Sequence, residues 1–201
     1  MLKKQVLKTA YNLFSQYGIK SVSMDDIARN VGMSKRTLYE YFNDKEEVLV
    51  QGIEFTYGKF RSYLEKLMDE GHSALDTILL FYDELMRNPR WYSPRFYEDL
   101  RRYPNAQKKM EERRVDFPKQ CALLFKKGVN EGDFHPDINF EIIVLLVKSQ
   151  IKMTMPSMEC SIHTIKEIYD TVLFTFLRGI CTEKGRLKLE RYVRKQTYIE
   201  Q

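Results

Sequence analysis

Between Val31 and Glu46 the chain reads VGMSKRTLYEYFNDKE, which sets Lys35, Arg36, Thr37, Tyr39 and Tyr41 close together after a Gly-Met-Ser turn. These side chains suit a polyanion with readable edges. An arginine such as Arg36 donates two hydrogen bonds to a guanine edge, and a threonine such as Thr37 reaches a base or its methyl group. Lys35, Tyr39, Tyr41 and, just beyond, Lys45 are the types that engage phosphates. Ser34 stands where a helix begins, and backbone amides there favour an anion. A plainer reading competes: Arg36 and Glu40 are four apart, and such a pair on a solvated helix contributes only about 0.2–0.5 kcal/mol.

A 3.6-residue period decides which of these side chains are available. With Leu38 taken as the core direction, Phe42 and Ser34 fall near it, Arg36 and Glu40 fall opposite, Thr37 and Tyr41 flank one side, and Lys35 and Tyr39 the other. Leu38 and Phe42 are therefore expected anchors. Upstream, Val6, Ala10, Leu13, Phe14 and Tyr17 form the stripe of a first helix over residues 2–17, which Gly18 stops. In SMDDIA, Ser23 stands three residues before Asp26, which makes a near capping box for a second, brief helix ending at Gly32. Two short helices joined by a glycine turn make a helix-turn-helix pattern. A fourth helix is expected from Asn43 or Asp44 to about residue 70.

At 201 residues the chain can bury a real core without disulfides. Cys121, Cys160 and Cys181 are odd in number and lack a CxxC pair, which fits free thiols in a reducing compartment. The first residues carry no export signal, and the longest apolar run, residues 142–147, is far shorter than the roughly 20 residues a membrane span needs. A cytoplasmic, nucleoid-associated protein of bacterial type that does not engage membranes is expected. The net charge of +5 is mild, but residues 1–45 hold eight Lys or Arg against four Asp or Glu. The basic excess after Glu183 fits a solvated terminal helix.

The stretch FSQYGIKSVSMDDIARNVGMSKRTLYEYFNDKEEVL resembles the DNA-binding domain of TetR-family transcriptional regulators. The likeness rests on Gly18, Ser23, Ile27, Ala28, Val31, Gly32, Ser34, Thr37, Leu38, Tyr39, Tyr41, Phe42 and Lys45 and covers about the first 50 residues. It implies a homodimer on palindromic operator DNA, with an inducer pocket and a dimer interface in the C-terminal region. Carried over by position, it makes Ser34, Lys35, Arg36, Thr37, Tyr39, Tyr41 and Lys45 DNA-facing, with Ser23 near a phosphate. Glu40 departs from the pattern, because an acid in the reading surface repels phosphate unless it accepts from a cytosine amino group or orients Arg36.

The expected fold is all-α. A three-helix helix-turn-helix DNA-binding domain occupies residues 1–46, and a helical ligand-sensing and dimerisation domain occupies residues 47–201. Amphipathic segments are expected over residues 73–87, 94–102, 105–131, 137–155 and 162–180, with Pro118 kinking or dividing the third. FEIIVLLVKSQIKM is apolar almost all round, and the segment after it repeats apolar residues at helical spacing. Ile143, Leu146, Val147, Ile165, Tyr169, Val172, Phe176 and Leu177 are candidates for a four-helix contact between two copies, against the alternative of packing within one. Tyr63, Tyr82, Trp91, Arg95, Phe96, Tyr97 and Phe125 are candidates for a small-molecule pocket, against the alternative of ordinary core. Cys160 and His163 form a lone CxxH without a second ligand pair, so neither a metal nor a cofactor is expected. No nucleophile with an assignable base is present, and an enzyme is not expected. The leading reading is a ligand-responsive repressor; the alternative is an architectural DNA-binding protein that pairs with another protein and has no small-molecule inducer.

Overall fold

The computed structural model describes residues 2–87, 94–154 and 163–199. In chain order the helices are α1 (Leu2–Tyr17), α2 (Met24–Val31), α3 (Lys35–Tyr41), α4 (Lys45–Asp69), α5 (Ala74–Met86), α6 (Pro94–Leu100), α7 (Pro104–Asn130), α8 (Phe140–Thr154), α9 (Ile165–Ile180) and α10 (Glu183–Ile199). Among the described residues there is no strand beyond an isolated bridge between Phe134 and Cys181. The all-α expectation holds.

Local chemistry accounts for the boundaries. Ser73 and Thr164 cap α5 and α9 by accepting from the amides of Asp76 and Glu167. Asp44 does the same for α4, where its Oδ1 accepts from Glu47 N at 2.7 Å. Pro118 does not divide its segment, and α7 runs through it as one helix. A proline removes one ladder bond, and burial on both sides offsets that loss. Ala106 and Met110 lie in one core, Leu124 and Phe125 in another.

The chain forms two compact units. The first comprises residues 1–63 and 88–116, the second residues 64–87 and 117–201. Packing draws these units, whereas the expected division after residue 46 is one of role. The first unit's core holds Val6, Ala10 and Phe14 of α1, Ile27 of α2, Leu38 of α3, Val48, Leu49 and Ile53 of α4, and Phe96 of α6. Tyr17, expected on the α1 stripe, is 50% exposed at the end of the helix.

The second unit's core gathers Leu75 and Leu79 of α5, Phe125 of α7, Phe134, Phe174 and Leu177 of α9, and Leu189 of α10. α10 is therefore not the solvated helix its charge pattern suggests: Leu189 is fully buried. A glycine permits its docking, since a Cβ on Gly185 would stand 2.2 Å from the carbonyl oxygen of Asp133. Lys188 then reaches the buried Asp133 carboxylate at 2.6 Å. Cys121 is half-buried and Cys181 buried; both are free thiols, and burial pushes the Cys181 thiol up to about 11. Cys160 lies outside the described residues.

Candidate nucleic-acid interface

The reading surface is built from two capped helices and a left-handed turn. The Ser23 Oγ accepts from Asp26 N at 3.1 Å, and the Asp26 carboxylate accepts from Ser23 N at 2.9 Å and Ser23 Oγ at 2.6 Å, which completes the capping box. These bonds from Ser23, with Arg29 nearby, hold the Asp26 carboxyl below its ordinary range. α2 ends at Gly32 with φ 78°, a conformation in which a side chain is strained, and Met33 N donates to Ala28 O at 3.0 Å. The chain is thereby turned so that Ser34 opens α3, its Oγ accepting from Thr37 N at 3.1 Å.

α3 presents its chemistry as the period requires. Leu38 and Phe42 are buried at 0% and 1% exposure. On the opposite face the side chains of Arg36 and Glu40 are 92% and 62% exposed, 3.8 Å apart at Nε and Oε1. At that distance and exposure the pair contributes little, and Arg36 keeps its bidentate face for a partner. Tyr39 and Tyr41 are 44% and 40% exposed, and Thr37 is half-buried at the side of the helix. Lys35 pairs with Asp25 at 2.9 Å, and that hydrogen bond raises its pKa above the ordinary lysine value. The structure thus brings Lys35, Arg36, Thr37, Tyr39 and Tyr41 together on one helix, with Ser23 and Ser34 at the caps that orient the pair.

Lys45 is different. Its Nζ donates to Ile19 O and Val22 O at 3.0 Å each and lies 5.8 Å from the centre of the Tyr103 ring. It ties the α1–α2 connection to the start of α4. Sequence spacing does not reveal this, because the two carbonyls lie more than 20 residues upstream. Two further tethers join α6 and α7 to the same unit. The Asp99 Oδ2 accepts from Lys20 N at 2.8 Å, and the Glu46 Oε1 accepts from Asn105 N at 2.8 Å, the latter at the first turn of α7. Neither is legible in the sequence, where the only signal is an acid near a helix end.

The pocket candidates divide between the units. Tyr63, Arg95, Phe96 and Tyr97 belong to the first and Tyr82 and Phe125 to the second; Trp91 lies outside the described residues. Phe96 is 1% exposed and packs edge-on against Tyr11 and Tyr97, each with ring centres 5.6 Å away. Phe125 stacks on Phe140 at 4.6 Å. Of the dimer candidates, Leu146 is 43% exposed, and Ile143, Val147, Tyr169, Val172 and Phe176 are half-buried. For Ile165 the helix alone is described. Leu177 is 2% exposed in the second unit's core, so its side chain packs within its own chain and is not on an outward face. Two neighbours not singled out from sequence, Ile142 and Leu145, are 52% and 60% exposed. Among the described residues no cluster of metal-ligating side chains is present and no helix is long and apolar enough to cross a membrane.

Comparison with known proteins gives this geometry its context. Residues 6–51 match the family described as bacterial regulatory proteins, tetR family. The chain is similar to the HTH-type transcriptional repressor KstR2 of Mycolicibacterium smegmatis, 23% identical over 205 residues that cover 91% of this chain and 92% of that protein. Its fold is similar to that of the ketosteroid transcriptional regulator KstR2 of Mycobacterium tuberculosis, with TM-score 0.61 and 18% identity over 91% of this chain and 96% of the other. It is also similar to a gamma-butyrolactone receptor described as ArpA-like, with TM-score 0.66 and 14% identity over 96% and 95% of the two chains. With the helix-turn-helix geometry, the match identifies residues 6–51 as a DNA-binding domain of the kind found in bacterial regulatory proteins of the tetR family.

Proposed function

We propose that the whole chain is a transcriptional regulator of the TetR family, a ligand-responsive repressor that acts as a homodimer on a palindromic operator. Each copy sets α3 in a major groove, with half-sites about one helical turn or a multiple apart. Residues 1–46 read DNA, and residues 47–201 sense a small molecule and pair the subunits. Arg36 and Thr37 face base edges, while Lys35, Tyr39, Tyr41 and the caps at Ser23 and Ser34 serve the phosphate backbone. The observation that carries this reading is the opposition on α3: Leu38 fully buried, and the Arg36 side chain 92% exposed.

Two features support the sensing role. One structural neighbour is named as a receptor for a small lactone, and the second unit contains a cavity of about 770 Å³, large enough for a small effector. An architectural protein has no need of such a cavity. The apolar face of α8, with Ile142, Leu145 and Leu146 outward, supports pairing through that helix. Ligand entry shifts the population between forms that differ in operator fit, by no more than its differential affinity for them. The test is selection of bound sequences from a random duplex pool with the full chain. A two-fold symmetric site with two half-sites is expected; enrichment of a single asymmetric half-site, or of nothing, overturns the proposal.

A further inference from the structure

The cavity of about 770 Å³ lies among α5, α9 and α10 of the second unit, and its walls combine rings with charges. Tyr82 and Phe174 meet edge-on at 5.6 Å, and Tyr192 lies 6.1 Å from Phe174. Three cations line the space, and each has an acid of its own. Arg87 pairs with Glu84 at 3.4 Å, Lys166 with Asp170 at 2.8 Å and Arg178 with Glu190 at 2.7 Å. Asp83 is the exception. It lines the cavity half-buried, and among the described residues it accepts only from neutral donors, the Tyr192 hydroxyl and Gln196 Nε2, the latter at 3.1 Å.

Neutral donors satisfy lone pairs but do not balance charge, and a carboxylate held partly out of water favours a cation. Burial pushes both Tyr82 and Tyr192 well above the ordinary phenol range, so both remain protonated donors. Tyr82 and Phe174, which line the same cavity, add apolar contact for the body of such a cation.

We infer that this cavity binds an organic cation, its ammonium group paired with Asp83 and its apolar body against Tyr82 and Phe174. The regulatory meaning of the site rests on the reading of the second unit as the sensing unit.

Isothermal titration of the full chain with phenethylammonium tests this, with 2-phenylethanol and phenylacetate as neutral and anionic matches. Phenethylammonium is expected to bind best, and Asp83→Asn, which keeps the acceptor for Tyr192 and Gln196, to weaken it at least about tenfold, as loss of an ionic partner does. Thr171→Trp provides a second variant, because Thr171 lines the cavity yet is exposed and its replacement leaves the Asp83 network intact; it should abolish binding. Absence of phenethylammonium binding at millimolar concentration, equal binding by Asp83→Asn, or preference for phenylacetate overturns the inference. The titration contains no DNA, so its failure leaves the operator reading standing, and failure to find an operator leaves the cation site standing.

Discussion

Lys45 carries the same charge as Lys35, yet the two do different work. Lys35 is exposed on α3, whereas the Lys45 ammonium is held between two backbone carbonyls. Lys45→Met is expected to destabilise the fold by about 1–3 kcal/mol, measured by urea denaturation, since it leaves two carbonyls without their donor. Unchanged stability with weakened DNA binding would return Lys45 to the phosphate surface. Asp26 gives a pH dependence. Its folded pKa is lowered, so the stability it contributes is present above the ordinary aspartate range and lost as pH falls through the lowered value. Asp26→Asn should flatten that part of the stability profile between neutral and acid pH, followed by thermal melts across the range. At this scale the sequence is legible where one period governs a side chain, as for Leu38, Phe42 and Arg36. It is silent where a distant segment supplies the partner, as for Lys45 and Asp99.

At the scale of elements, the helices were readable because their apolar spacing, their caps at Ser23, Ser34 and Asp44 and their glycine stop at Gly32 are local signals. α10 reads as a solvated helix for the opposite reason. Its charges dominate the sequence, while the burial of Leu189 depends on Gly185 meeting the Asp133 carbonyl, a contact between segments more than 50 residues apart. Gly185→Ala should therefore cost roughly 1–3 kcal/mol, as overpacking against backbone does, and lower the melting temperature of the full chain. Melting unchanged from the parent would mean that α10 docks without this close approach. Aromatic spacing likewise did not separate core from cavity: Phe96 is core of the first unit, while Tyr82 borders a cavity of the second.

At the scale of the whole molecule, the proposed reading of a symmetric site needs two copies, and among the described residues the exposed Ile142, Leu145 and Leu146 of α8 form an apolar face suited to pairing them. Leu146→Glu, at a position already 43% exposed, should leave the chain folded and shift it from dimer to monomer in light scattering. A dimer unchanged in mass would move the interface elsewhere. A similar charge at the buried Leu177 would test the fold instead. The account depends most on α3 as the reading helix, and one comparison tests that directly: the affinity of the parent and of Arg36→Ala for a selected operator and for a random duplex of equal length at fixed salt. The account predicts a loss of about 1–3 kcal/mol on the operator with relaxed base preference and a much smaller loss on the random duplex; equal losses on both would contradict it.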